Sequence, residues 1–136
     1  MKIFLSAVEK ELVNAWKSFC RDLPNVEIYC GSILDLSVDA IVSPANSYGF
    51  MDGGIDLLYS HRFGWHVQEK LQKIIREKHH GELLIGQAEI VETDIEQIPF
   101  IISAPTMRVP MILKRYSKSL SGGSCSLFAY KIRHVF

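Results

Sequence analysis

The fold is decided by one stretch, DAIVSPANSYGFMDGGID, which covers residues 39–56. Residues 39–42 form a short apolar run with an acidic start, a pattern typical of a strand that is buried on both faces. Pro44 cannot donate to a strand ladder and pushes the preceding residue towards extended geometry, so the chain leaves the sheet there as a loop. A helix is predicted to begin near Ile55, which puts the backbone N–H groups around Gly53-Gly54 at a helix N-terminus. Such a terminus favours an anion.

The glycine pair alone is weak evidence, because paired glycines most often mark turns. The whole string is more specific. Ala45-Asn46, a short insert and Gly53-Gly54-Ile55-Asp56 together resemble the signature of macrodomains, the ADP-ribose-binding modules. In that family an Asn-Ala-Ala-Asn run after a buried strand leads into Gly-Gly-Val-Asp at the start of a helix. The resemblance implies that the chain binds ADP-ribose through the loop from Asn46 to Asp56.

The resemblance also implies which residues act on the ligand. The family's Asn at the position of Asn46 bonds the hydroxyls of the distal ribose, and in hydrolytic members the Asp at the position of Asp56 orients or activates a water near the anomeric carbon. A carboxylate and a positioned water suit a glycosidic cleavage with an oxocarbenium-like transition state. Asn46 and Asp56 are therefore the predicted catalytic residues. The predicted ligand-binding residues are Ser32, Ile33, Ala45, Asn46, Asp52, Gly53, Gly54, Ile55, Ala104, Pro105 and Thr106.

Both predicted catalytic residues also have a structural interpretation. A loop Asn such as Asn46 commonly bonds its own backbone, and an acid in the first turn of a helix, such as Asp56, is favoured by the helix dipole. Taken singly, each structural interpretation is the stronger one. The spacing of the two residues within a matched strand, loop and helix favours the ADP-ribose interpretation.

Two further segments extend the resemblance. Gly31-Ser32-Ile33-Leu34 aligns with the Gly-Asp-Ile-Thr run at which macrodomains begin their binding cleft, and Ser32 stands where the family has the Asp that takes the adenine amino group. Adenine selectivity therefore does not follow from the resemblance. Later in the chain, Ala104-Pro105-Thr106-Met107-Arg108 corresponds to the family's small-residue loop over the ligand.

The order of patterns along the chain predicts an α/β fold. Strands are predicted at residues 2–8, 26–30, 39–42, 86–93 and 98–104, and helices at residues 9–20 and from about 55 to 78 with a break at Phe63-Gly64. Alternation of this kind predicts a three-layer α/β/α macrodomain-like fold, with a mixed, mostly parallel central sheet and helices on both faces. Ligands of such sheets bind outside the carboxyl ends of the strands. Asn46, Asp56 and Thr106 are expected at that edge.

The last part of the chain differs in charge and pattern. Residues 1–106 hold nine Lys and Arg and all fifteen Asp and Glu, whereas residues 107–136 hold six Lys and Arg and no acid. The resemblance ends near residue 110, so residues 1–110 are predicted to be a macrodomain-like core and residues 111–136 a basic, divergent segment of the same single domain. Ser121-Gly122-Gly123-Ser124 stands where the family has a second glycine loop. A shortened C-terminus and an incomplete sheet edge are expected.

Composition bounds the class of protein. With 48% hydrophobic and 22% charged residues over 136 positions, the chain is typical of one globular domain. Its apolar runs are too short to cross a bilayer and its first residues lack a long apolar signal region, so a soluble, cytoplasmic protein is expected. The three cysteines are expected to be reduced and structural, and Cys20 and Cys30 to be buried. No metal or cofactor is predicted, because no His, Cys or acidic residues recur at ligand spacing.

Three hypotheses about function follow. The first is a macrodomain that hydrolyses ADP-ribose linkages or derivatives, the chemistry called Appr-1-p processing. The second is a non-catalytic reader of ADP-ribose or another nucleotide. The expected partner is ADP-ribose or an ADP-ribosylated macromolecule. The third is a degenerate relative with a structural or interaction role. Six basic residues spread over thirty positions without stacking aromatics argue against nucleic acid as the partner. No oligomeric state is indicated.

Overall fold

A computed structural model describes residues 1–109 and 127–131 of the chain. Most predicted elements are confirmed within two or three residues. The strands are β1 (Lys2–Ala7), β2 (Val26–Cys30), β3 (Ala40–Ser43), β4 (Glu89–Glu92), β5 (Phe100–Ser103) and β6 (Leu127–Lys131), and the α-helices are α1 (Lys10–Phe19), α2 (Gly54–Phe63) and α3 (His66–Lys78). A single turn of 3-10 helix, Ile33–Asp35, lies between β2 and β3.

The six strands form one mixed sheet in the order β2-β1-β6-β3-β5-β4. β1 is parallel to β2 and β3 is parallel to β5, whereas β6 is antiparallel to both of its neighbours and β4 is antiparallel to β5. Four strands therefore run in one direction and end at the same edge. The mixed sheet agrees with the prediction, and four of its six strands share one direction. Parallel pairing does not dominate, however, because β6 and β4 run the other way: two strand pairs are parallel and three are antiparallel.

The main core lies on the face of the sheet that carries α2 and α3. It contains Ile41 of β3 and Ile101 of β5, and Phe4 of β1 packs against it. Side chains alternate along a strand, so Leu5 and Ala7 of β1 point to the opposite face, where α1 packs on β1 and β2. Helices on both faces make the three-layer α/β/α arrangement that was predicted. The core residues contributed by the helices are Tyr59, Phe63, Val67, Leu71 and Ile75.

Two boundaries differ from the prediction. The strand predicted at residues 86–93 begins only at Glu89, because the chain turns just before it, with Gln87 N donating to Leu84 O at 3.0 Å. The strand predicted at residues 98–104 is shortened to Phe100–Ser103. Its first predicted residue, Ile98, donates to Ile95 O at 3.2 Å instead of joining the ladder. In both cases a local turn takes residues whose side chains fit a strand.

The cysteine prediction was wrong for Cys30 and only partly right for Cys20. Cys30 is exposed and Cys20 is half-buried. Cys30 ends β2, which comes first in the order of the six described strands and pairs, among them, with β1 alone. An apolar residue type at a strand end does not show whether the strand is central or at an edge.

The C-terminal segment contributes a strand to the middle of the sheet. β6 lies between β1 and β3, and the two outer strands among those described are β2 and β4. The prediction of an incomplete sheet edge at the C-terminus therefore assigned this segment to the wrong part of the sheet. The glycine loop predicted at residues 121–124 lies outside the described residues, and the boundary at residue 110 stays a prediction. Within the part of the chain that the structure describes, no helix combines the length and apolar character needed to cross a membrane.

Candidate functional site

The loop that follows β3 runs beside the loop that follows β5. Ala104 N donates to Ser43 O at 3.0 Å and Thr106 N donates to Ala45 O at 3.0 Å, which prolongs the parallel ladder beyond both strands. One step further, Asn46 forms a bridge with Met107. The structure thus brings together two segments that the sequence analysis selected separately, at the carboxyl edge of the sheet.

Asn46 is almost fully buried, with 5% of its surface exposed. Its Oδ1 accepts from Tyr48 N at 3.1 Å and from Phe50 N at 3.2 Å, and its Nδ2 donates to Phe50 O at 2.7 Å. These three bonds fold residues 46–50 around the carboxamide, as an Asx turn does. Asn46 therefore organises the loop, which is the structural interpretation of this residue, and a contact with a ribose stays a prediction.

The same loop is fastened to its surroundings at both ends. Met51 N donates to Gln68 Oε1 at 2.6 Å and Ser60 Oγ donates to Met51 O at 2.8 Å, so α3 and α2 each hold its far end. Leu83 N donates to Ser47 O at 2.9 Å at its near end. These contacts fix the loop before any ligand arrives, which reduces the ordering cost of binding.

Gly49 lets this loop lie directly on α3. Its φ is +69°, and a Cβ at this position would lie 2.9 Å from Ile75 Cδ1 and 3.0 Å from Leu71 Cγ. A side chain would be strained by the backbone conformation and would also overlap the core. The close packing leaves the loop little freedom to move away from α3.

The N-terminus of α2 is open to solvent. Gly53 is its N-cap, in an extended conformation with φ −147° and ψ 157°, and no side chain caps the helix. Among the described residues, no acceptor receives the backbone N–H groups of Gly54, Ile55 or Asp56. A Cβ added at Gly53 or Gly54 would meet no atom within 4 Å. Unpaired donors, the positive end of the helix dipole and free space are the features that an anion site at a helix N-terminus needs.

Asp56 lies beneath this site and is buried. It is the third residue of α2, only 7% of its surface is exposed, and Ser43 Oγ at the end of β3 donates to its Oδ1. Burial raises the pKa of Asp56 to about 6, and the hydrogen bond from Ser43 opposes that rise. The carboxylate is therefore part of the junction between the helix and the sheet, and its use as a catalytic group stays a prediction.

A row of polar side chains crosses the sheet at this level. Ser43 pairs with Ser103, and Ser103 pairs with Glu89, so the three residues lie side by side on the face that carries the core. Ser103 is 1% exposed, and its Oγ has no hydrogen-bond partner among the described residues. Glu89 is held by His79, with Nε2 and Oε1 2.7 Å apart. The row lies where β3 and β5 end and β4 begins.

The predicted cleft residues near β2 lie in and beside the 3-10 turn. Ser32 is exposed, and its Oγ accepts from Leu34 N at 3.3 Å, so its hydroxyl caps the turn. Ile33 is almost fully buried and belongs to the core. The side chain of Ile33 therefore packs inside the protein, and a ligand could reach only its backbone.

The remaining predicted residues line the two loops. Asp52 is exposed and Ile55 is half-buried at the start of α2. Pro105 is buried, whereas Thr106 is exposed and donates its hydroxyl to Pro44 O at 3.4 Å. Asp52 and Ile55 thus flank the open N-terminus of α2, and Thr106 lies against the loop that follows β3.

An ion pair follows directly after the loop of residues 104–107. Arg108 Nε and Nη2 bond the two carboxylate oxygens of Glu82 at 2.6 and 3.1 Å. The guanidinium lowers the pKa of Glu82. Arg108, which counts among the basic residues of the tail, is therefore paired with an acid of the core.

Ser43, Gln68 and Ser103 lie at this edge without having been predicted from the sequence. Ser43 offered one usable signal, because it opens the Ser43-Pro44-Ala45-Asn46 run where the macrodomain signature has Asn. Gln68 bonds a backbone atom seventeen residues away, and Ser103 joins the row through strand pairing. Neither relation has a local signal in the sequence.

The fold and this edge define an α/β domain that has an open helix N-terminus at the carboxyl edge of its sheet. Residues 42–120, more than half of the chain, match the family model described as Macro domain, and the chain belongs to this family. Macro domains bind ADP-ribose, which gives the general kind of ligand. An uncharacterized protein from Aquifex aeolicus (strain VF5) is 30% identical over 86 residues, which cover 63% of this chain and 48% of that protein. The chain spans about half the length of this relative.

Proposed function

We propose that this chain binds an ADP-ribosyl group, with the diphosphate against the backbone N–H groups at the start of α2. The observation that carries the proposal is the combination at Gly53 and Gly54 of unused donors and open space. A diphosphate needs several donors and a close approach to the backbone, and both are available there. The fixed loop from Asn46 to Met51 and the loop from Ala104 to Thr106 form the walls.

Binding without catalysis is the first candidate. The carboxamide of Asn46 forms its hydrogen bonds with the backbone of its own loop, and Asp56 is buried with its Oδ1 bonded to Ser43. Both side chains are thus engaged by the protein itself, which supports binding without catalysis. The partner would be ADP-ribose itself or an ADP-ribosylated macromolecule, and the protein would act as a reader of this group.

Hydrolysis of an ADP-ribosyl linkage is the second candidate, and one observation favours it. Burial raises the pKa of Asp56 to about 6, so this carboxyl can gain and lose a proton near neutral pH, as a general base must. An assay on an ADP-ribosylated protein separates the two candidates. A hydrolase releases ADP-ribose and loses that activity in Asp56→Asn, whereas a reader releases none in either form.

Calorimetric titration with ADP-ribose tests the binding proposal, with AMP and ribose 5-phosphate as controls. AMP carries the base and one phosphate, and ribose 5-phosphate carries the sugar and one phosphate, so neither supplies the diphosphate. We expect micromolar binding of ADP-ribose and weaker binding of both controls. A folded sample that gives no heat with ADP-ribose refutes the proposal and favours the degenerate relative with an interaction role.

A further inference from the structure

Asp56 and the proposed ligand depend on the same end of α2. Asp56 is the third residue of the helix, so its carboxylate lies within the first turn, where the dipole favours negative charge. The unused N–H groups of Gly54, Ile55 and Asp56 itself point out of the same turn. An ionised carboxylate below the turn and a diphosphate above it would therefore repel one another across a few ångströms of protein.

The surroundings of Asp56 do not neutralise this repulsion. β3 presents the hydroxyl of Ser43, and the neighbouring β5 presents the hydroxyl of Ser103, both of them uncharged. Asp52, in the loop before the helix, is an exposed acid. Within the described residues no Lys, Arg or His contributes to the pKa of Asp56, for which burial and Ser43 are the only causes.

We propose that ligand binding at the α2 N-terminus is coupled to uptake of a proton by Asp56. The inference rests on the proposed function, since it needs the diphosphate to lie at this terminus. Protonation removes the buried charge and leaves Ser43 as a hydrogen-bond partner for the neutral carboxyl. The Asp56–Ser43 pair thus makes the affinity of an anion site depend on pH although the site itself is built from backbone groups.

The direction of the effect follows from linkage. The pKa of Asp56 is about 6 in the free protein, and a diphosphate nearby raises it further. Affinity is then highest below about pH 6, falls as the pH rises through the interval between the free and bound pKa values, and becomes constant above it. ADP-ribose is a suitable probe because its diphosphate diester keeps both charges throughout this range.

The test is calorimetry of the full chain with ADP-ribose between about pH 5 and pH 8, repeated in two buffers that differ in ionisation enthalpy. The difference in binding enthalpy between the two buffers gives the number of protons taken up, and this measurement needs no variant. We expect the affinity to be at least about fivefold higher at pH 5 than at pH 8, with fractional proton uptake at the pH values between them. Asp56→Asn keeps the shape without the charge and should bind at pH 8 as wild type binds at pH 5. Asp22→Asn, the matched control, removes an exposed acid that lies between α1 and β2, away from the site, and should keep the pH dependence.

The outcomes separate the two proposals. Wild-type protein that binds ADP-ribose equally at every pH and takes up no proton overturns the inference and leaves the proposed function standing. An affinity for ADP-ribose that still depends on pH in Asp56→Asn also overturns the inference, because the proton then binds elsewhere. Folded protein that binds no ADP-ribose at any pH refutes the proposed function, and the coupling with it.

Discussion

Gly53 offers the sharpest test of where the diphosphate lies. It is the N-cap of α2, its φ of −147° suits any residue, and a Cβ there would meet no atom within 4 Å. Asn and Asp are both good N-cap residues, so Gly53→Asn and Gly53→Asp should each raise the free energy of unfolding by a few tenths of a kcal/mol. The two side chains have nearly the same shape and differ by one charge.

Both substitutions should weaken binding of ADP-ribose, and Gly53→Asp should weaken it more. Each new side chain occupies the free space and accepts from the N–H groups that the diphosphate would use. In Gly53→Asp, two like charges about 5 Å apart add about 1 to 3 kcal/mol, between the dielectric of water and that of a protein surface, which is about five- to 150-fold in the dissociation constant.

The assay is calorimetric titration at low and at raised salt, with thermal unfolding of each variant alongside. Added salt should narrow the gap between Gly53→Asp and Gly53→Asn, because exposed charges are screened. If both variants keep their stability and bind ADP-ribose as tightly as the wild-type protein does, the diphosphate does not lie at the start of α2. Equal weakening by Asn and Asp would remove the electrostatic part of the reasoning.

Three further predictions concern stability. Gly49→Ala should lower the free energy of unfolding by about 2 to 4 kcal/mol, through backbone strain and overlap with α3. Gly81→Ala, with φ +95° and no atom within 4 Å of its Cβ, should lower it by only about 1 kcal/mol. Urea denaturation compares the two variants, and equal losses of stability would contradict the packing argument. Asn46→Ala removes three hydrogen bonds and should cost about 2 to 4 kcal/mol, with faster proteolysis of its loop; an unchanged stability would contradict the organising role. Burial raises the pKa of Asp56 from 3.8 to about 6, so the folded state is favoured most while this carboxyl is protonated. The free energy of unfolding is therefore highest below pH 3.8 and falls, by at most about 3 kcal/mol, as the pH rises through 6. Relative to wild type, Asp56→Asn should therefore gain stability between about pH 4 and pH 7 in urea titrations, and a difference that does not change with pH would refute the assignment.

Local patterns in the sequence predicted the elements well. β2 was predicted at residues 26–30 and is Val26–Cys30, and the predicted end of α3 at residue 78 is also observed. The break at Phe63-Gly64 is a helix end where Gly64 takes a φ of +100°. Alternation, helical periodicity and glycine are properties of neighbouring residues, so the sequence alone is enough to recognise them.

The relations across the fold could not be predicted in the same way. Asn46 was selected for a ligand contact, yet its partners are backbone atoms whose positions depend on the conformation of the loop. Asp56 was selected as a catalytic group, yet its burial and its bond to Ser43 depend on how α2 packs on β3. Ile33 was selected for the cleft and lies in the core. The motif gives the place of a residue in the chain, and packing decides which way its side chain faces.

The position of β6 makes the assembly of the sheet depend on residues that are synthesised late. Tyr130 pairs with Ala40, 90 positions earlier, and with Ile3 on its other side. Until β6 arrives, β1 with β2 and β3 with β5 and β4 are separate ribbons, each with an unpaired inner edge. Closure of such long loops is slow, and exposed strand edges invite pairing with other chains. A nascent chain that exposes β5 without β6 would hold two unjoined half-sheets, so chaperones that cover strand edges should matter most before β6 joins them.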